Sequence, residues 1–257
     1  MSTKLFLQER REQIIALLGR DSRVSVADLS QRFRLSQATI RSDLDALAAQ
    51  GMLVRTHGGA IAADRTDSEL SFAVRRRLYS VQKGRIGAAA AALVEDGEAI
   101  ALDASTTALA LADHIKGRHE LTVITNGLMV SMALLGSPGI TVLMPGGFLR
   151  RDSVSLVGHK GNEFIEQFNF QKGFFGAKGL TLEEGLSDVN SDEVIVKREL
   201  VAHARRIIAI VDSSKWGRVG FVSFASMEQV DCVITDEGAP PDMVAGLRES
   251  GVQVVIA

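Results

Sequence analysis

The chain has 257 residues, 46% hydrophobic and 23% charged, with a net charge of −2. That length buries one sizeable core and leaves room for a second small domain. The single cysteine, Cys232 in "VDCVITD", excludes an intrachain disulfide and reads as a small buried strand residue. No apolar stretch reaches the roughly 18 to 20 residues of a membrane helix, and "MSTKLFLQERREQ" lacks an apolar signal core, so the expected compartment is the cytoplasm.

Charge is divided unevenly. Residues 1–60 carry nine Lys and Arg against six Asp and Glu, a net of +3, and the remainder carries −5. A basic head on an acidic body hints at an anionic partner for the head alone. The first elements agree. "LQERREQIIALLGR" sets Ile14, Leu17 and Leu18 at helical spacing, and "VADLSQRF" sets Leu29 and Phe33 four apart. After a tight turn, "SQATIRSDLDALAAQG" has Ser36 as N-cap, an inward stripe of Ile40, Leu44 and Leu47, and Gly51 as a stop. Three short helices with a tight turn before the third describe a helix-turn-helix. "GMLVRTHGGAIAA", with Met52, Val54 and Ile61 around Gly58 and Gly59, reads as a small hairpin or wing.

In such a motif the last helix enters the major groove with its N-terminal residues at the base edges. The inward stripe turns Ala38 and Ser42 outward and leaves Gln37, Thr39 and Arg41 on the flanks. Gln37 suits adenine, Arg41 suits guanine or phosphate, and Ser36, Thr39 and Ser42 suit either kind of contact. The wing adds Arg55 and His57. The plainer alternative is a docking or dimerisation module.

Residues 62–80 are polar and charged and read as a linker whose "RRR", Arg75 to Arg77, forms a solvated helix face or touches DNA. From residue 81 the pattern changes. Seven apolar runs, "AIALD", "LTVITN", "ITVLMPG", "KGFFGAK", "RIIAIVD", "VDCVITD" and "VQVVIA", alternate with helical segments, and "AAAAAL" reads as a tightly packed helix. This predicts an α/β domain over 81–257, a parallel sheet covered on both faces, behind a winged head over 1–61.

Open parallel sheets bind ligands outside the carboxyl ends of their strands. "LDASTT" offers Ser105, Thr106 and Thr107 at a helix N-terminus, a good place for phosphate, with Asp103 as an acceptor for a sugar hydroxyl; an ordinary N-capped helix is the alternative. The other strand ends offer Asn126-Gly127, Gly146-Gly147, Lys178 and Lys215, the last two as cations for phosphate. On "NSDEVIVKREL", Asp192 or Glu193 lies one turn from Lys197, either closing over the site or forming an exposed ion pair. Asp103 beside a lysine superficially suits enediol isomerisation, but no second carboxylate or histidine is tied clearly to a strand end. His114, His119, His159 and His203 lack metal spacing, and no P-loop, Rossmann glycine pattern or nucleophile elbow is present, so no metal or cofactor is expected.

The wording of the head is more specific than its spacing. "VSVADLSQRFRLSQATIRSDLDALAAQGMLVRTHGGAI" resembles the N-terminal signature of the DeoR family of bacterial transcriptional regulators, with Ser42 in place of the usual basic residue. Residues 69–257 resemble the same family, whose strand-end motifs match here around Asn126, Gly146-Gly147, Lys178 and the run from Asp212 to Arg218; Gly127 and Lys178 depart from the commonest letters. The resemblance implies an effector domain related to ribose-5-phosphate isomerase and CoA-transferase folds. It also implies an operator on double-stranded DNA, a phosphorylated sugar or polyol effector, repression of carbohydrate genes, and a homodimer or homotetramer. The rival readings are a sugar-phosphate isomerase with an appended head and an interaction scaffold.

Overall fold

A computed structural model describes residues 7–21, 23–49, 52–62 and 72–257. The chain divides into two compact units, Met1–Tyr79 and Ser80–Ala257. Among the described residues, no helix is long and apolar enough to cross a membrane.

In the first unit α1 (Leu7–Asp21), β1 (Arg23–Ser25), α2 (Val26–Phe33) and α3 (Gln37–Ala49) precede the hairpin of β2 (Leu53–Thr56) and β3 (Gly59–Ala62). The expected stripe of Ile40, Leu44 and Leu47 is buried with Ile14, Leu18 and Leu29. Ser25 caps α2 and Ser36 caps α3, each accepting from the backbone N–H three residues on, Asp28 at 3.0 Å and Thr39 at 3.1 Å. Arg34 closes α2 in the left-handed conformation, making the tight turn that sequence spacing required.

The wing differs in two details. Its two-residue turn is His57-Gly58, and Gly59 opens β3, which pairs with β1 as well as β2. Gly59 is needed there because a Cβ would collide with the Val24 carbonyl. The short β1 was not legible, since "RVS" is too brief for a period-two pattern. Of the expected linker, residues 63–71 lie outside the described residues. Phe72–Arg77 form α4, and Val74 enters the first unit's core.

The second unit opens with α5 (Ser80–Ala91), β4 (Ala99–Leu102), α6 (Thr106–His114), β5 (Leu121–Thr125), α7 (Leu128–Leu134) and β6 (Ile140–Leu143). A two-stranded hairpin, β7 (Phe148–Arg150) and β8 (Ser155–Val157), and α8 (His159–Ile165) follow. Then come β9 (Lys172–Phe175), β10 (Gly179–Thr181), β11 (Gly185–Asp188), α9 (Ser191–Ala202), β12 (Ile207–Ile210), β13 (Val222–Ala225), β14 (Cys232–Thr235), α10 (Pro241–Glu249) and β15 (Gln253–Ile256).

The seven apolar runs are the seven strands of one sheet, ordered β15-β14-β12-β9-β4-β5-β6, with every neighbouring pair parallel. Cys232 is buried on β14, and burial, the largest influence, pushes its thiol up. Chain order runs outward from β4 through β5 and β6, then restarts on the other side of β4 with β9. The topological switch therefore lies between β4 and β9, where such sheets open a crevice. The antiparallel sheet β10-β11-β13 and the hairpin β7-β8 were not anticipated.

Candidate functional site

In the head, Gln37, Ala38, Arg41 and Ser42 are exposed on the first turns of α3, with Thr39 half-buried beside Ser36. Arg41 Nη2 donates to Gln37 Oε1 at 3.0 Å, so these two side chains present a linked donor surface. Behind them, Asp43 is buried and takes Arg10 Nε at 2.6 Å and Arg11 Nε at 2.9 Å, fastening α3 to α1. His57 is exposed at the wing tip. Arg55 is half-buried in the wing, where its guanidinium pairs with Asp45 at 2.7 Å and donates to the Gly59 carbonyl.

In the second unit the strand ends follow the sheet order and bring Asp103 to Thr107 beside Gly176 to Lys178, across the switch. A Cβ on Gly176 would lie 2.5 Å from Ser105 Cβ, and one on Gly127 would lie 2.9 Å from Ala104 Cα. The turns after β4, β5 and β9 thus touch through glycines. Ser105 caps α6, accepting from Ala108 N at 3.0 Å, while its own hydroxyl proton stays available to donate. Thr106 and Thr107 are largely buried, and their backbone N–H groups open α6, where the helix itself provides no acceptor.

Asp103 finds its partners within the protein. It is fully buried, its Oδ1 accepts from Ser105 N at 3.1 Å, and its Oδ2 takes Gly176 N at 2.9 Å and Lys197 Nζ at 3.0 Å. A carboxylate so occupied is the counter-ion of a buried lysine and is no open acceptor for a sugar hydroxyl. Lys197 uses its remaining donors on Asp188 at 2.8 Å and the Gly176 carbonyl at 2.7 Å, and lies 4.7 Å from the Phe224 ring centre. Burial alone would lower its pKa, but Asp103 and Asp188 outweigh burial and hold it above the usual lysine range. Burial would likewise raise the pKa of Asp188, but Lys197, the Val189 N–H and Lys178 together keep it below the usual carboxylate range.

Neither expectation for the Glu193 and Lys197 pair describes the result. They are one turn apart on α9, both buried, and each engages a different strand: Lys197 reaches Asp103 after β4, and Glu193 reaches Asn126 after β5 at 3.4 Å. Glu193 Oε1 also accepts from Arg150 at 3.0 Å, Ser153 at 2.6 Å and Ser155. Asp192 is exposed in the first turn, where Asn190 caps its N–H. A signal for Glu193 and Lys197 was present in the sequence: both fall in the stripe of Val194, Leu200 and Val201, so two charges were due to face the core. Arg150, Ser153, Ser155 and Asp188 had no such signal, because they lie on the unanticipated hairpin and antiparallel strand.

The other expected residues occupy neighbouring strand ends. Lys178 follows β9, its N–H donating to Ser187 O at 2.9 Å. Lys215 closes a 3-10 turn, Ser213–Lys215, whose N-cap is Asp212 and whose Ser213 N–H is held by Asp236 at 2.6 Å. Asp212 Oδ2 is buried without a partner among the described residues. Gly146 and Gly147 follow β6 on the exposed side; Gly147 has φ +143°, and a Cβ on Gly161 of α8 would lie 2.5 Å from the Gly146 carbonyl.

Comparison with known proteins accounts for both units. A model of the DeoR-like helix-turn-helix domain matches residues 10–66, and a model of the DeoR C terminal sensor domain matches residues 79–237. The HTH-type transcriptional regulator GolR of Listeria innocua is 36% identical over 98% of this chain and 100% of its own length. The glycerol-3-phosphate regulon repressor of Escherichia coli is 30% identical over 96% of this chain and 97% of its own. Among solved structures, ribose 5-phosphate isomerase A of Methanocaldococcus jannaschii overlaps 54% of this chain and 55% of that one, with a TM-score of 0.40 and 17% identity. With a helix-turn-helix in one unit, a seven-stranded parallel sheet in the other and matches across nearly its whole length, the chain belongs to the DeoR family of transcriptional regulators.

Proposed function

We propose that the protein is a repressor of carbohydrate genes that binds a double-stranded DNA operator as a homodimer or homotetramer and changes its DNA affinity when a phosphorylated sugar or polyol enters the strand-end crevice. The observation that carries this reading is the β4/β9 switch, where the N-terminus of α6 meets the turn that leads to Lys178, with Lys215 after β12, the next strand of the sheet. Helix amides and lysines suit a phosphate. The glycerol-3-phosphate regulon repressor among the relatives supports an effector of that class. On this reading Ser105, Thr106, Thr107, Lys178 and Lys215 surround the phosphate, Asn126 and Gly146-Gly147 line the remainder, and Ser36, Gln37, Thr39, Arg41, Ser42 and His57 face DNA.

A sensor is favoured over an isomerase because the carboxylate that would serve as base, Asp103, is fully buried and already held by Lys197 and two backbone N–H groups. A base must reach the proton that it abstracts. The effector acts by binding the DNA-competent and DNA-incompetent states with different affinity, since equal affinity shifts nothing. Two heads on one operator gain from linkage, which favours an oligomer. The test is a thermal-shift titration of wild type and Lys215→Ala with phosphate esters of sugars and polyols, followed by operator binding with the best compound. A shift in wild type that is reduced in the variant, with altered operator affinity, supports the reading. Equal responses in the two proteins overturn the role of Lys215, and no response from any ester overturns the phosphorylated effector.

A further inference from the structure

Asn126 follows β5 and is 1% exposed. Its Nδ2 uses both protons, on the Leu156 carbonyl at 3.2 Å and on Glu193 Oε2 at 3.4 Å. Its Oδ1 has no partner among the described residues. The amide cannot be reversed, because Oδ1 would then face a carbonyl and a carboxylate. Glu193 is itself held by Arg150, Ser153 and Ser155 of the β7-β8 hairpin, so the hairpin dictates through Glu193 where the Asn126 acceptor lies. Leu102 and Thr125 are register partners, which sets Asp103 and Asn126 side by side at the strand ends, and Gly127 backs onto Ala104 of the α6 turn.

A buried acceptor held in one orientation and left without a donor calls for an explanation. An amide oxygen is an acceptor only, so it takes a hydrogen-bond donor and offers nothing to a phosphate oxygen. We propose that Asn126 Oδ1 reads a hydroxyl group of the effector, and that the carboxamide, locked by Glu193, sets the selectivity for hydroxylated over hydroxyl-free phosphate esters. This rests on the reading of the crevice as a phosphate-ester site, and it divides that site into an amide and cation side for phosphate and an acceptor side for hydroxyl. An ester without the hydroxyl leaves the buried acceptor unpaired, which is how a polar pocket rejects an analogue.

Calorimetric titration of the full chain tests this with sn-glycerol 3-phosphate, D-glucitol 6-phosphate, D-fructose 6-phosphate and propyl phosphate. Wild type is expected to bind at least one hydroxylated ester about tenfold or more tighter than propyl phosphate. In Asn126→Leu, close in volume and without the acceptor, that ratio falls toward one. In Glu193→Gln, which keeps the side-chain shape but turns a donor toward Asn126 Nδ2, the ratio falls as well, and this variant serves if the leucine variant does not fold. A wild-type ratio of one, or variants that keep the wild-type ratio, overturns the proposal alone. If wild type binds none of the four esters, the phosphate-ester reading falls and takes the proposal with it.

Discussion

Lys197 shows how far a single residue's role depends on its neighbours. With Asp103 and Asp188 both engaged, it joins the ends of β4, β9 and β11 through one ammonium group. Removing one partner of a buried ion pair leaves the other charged and unpaired, so Lys197→Met is expected to destabilise the second unit by roughly 3–5 kcal/mol at neutral pH, read from urea unfolding. The pH dependence has a definite sign. Asp188 has a lowered pKa in the folded protein, so its stabilisation is present above the unfolded value of about 4 and is lost as pH falls through the folded one. Lys197 has a raised pKa, so its share is intact below the unfolded lysine value of about 10.4 and is lost only as pH rises through the folded one. Wild type should therefore lose stability in acid more steeply than Lys197→Met, in which Asp188 no longer has its ammonium partner. Parallel acid limbs for the two proteins would refute this linkage. The sequence disclosed that Glu193 and Lys197 share the inward side of a helix; it did not disclose that they part and serve different strands.

At the level of elements, the seven parallel strands were legible because each is a short, largely apolar run, and the inner ones are buried on both faces, a pattern that needs no partner to be recognised. The β7-β8 hairpin, β10, β11 and β1 were not. None of them is a continuous apolar run, and for β1 and β11 part of the pairing comes from segments distant in sequence, as when β13 joins β11. Glycines govern how closely elements approach. On α5, a Cβ at Gly87 would lie 2.7 Å from the Ala110 carbonyl carbon of α6, so the alanine-rich helix packs almost backbone to backbone. In the head, the orientation of α3 depends on Asp43, 1% exposed and held by two arginines of α1. Asp43→Ala leaves Arg10 buried without its carboxylate and is expected to cost the head about 3–5 kcal/mol. Operator binding, followed by gel shift, should fall with it. Arg41→Ala on the exposed side should weaken operator binding with little change in unfolding midpoint. Should Arg41→Ala leave operator affinity unaltered, α3 is not the reading helix.

The whole molecule consists of a basic reader and an acidic sensor in separate compact units. If the division of labour follows the units, a chain of residues 80–257 retains the response to phosphate esters in thermal shift and loses operator binding. Operator affinity of the full chain should fall linearly in log-log form with salt, because cations released from the DNA drive association. Ester binding that requires the head, or operator binding that survives its removal, would contradict this separation. The sequence by itself determined the helix-turn-helix, the parallel sheet and the family, because these depend on local spacing, capping and apolar runs that any short window contains. Tertiary structure alone decided which polar groups are spent and which remain. Asp103 proved to be the counter-ion of Lys197 and Asn126 an acceptor locked by Glu193, since a hydrogen bond depends on what lies within about 3 Å and these partners come from segments tens of residues away.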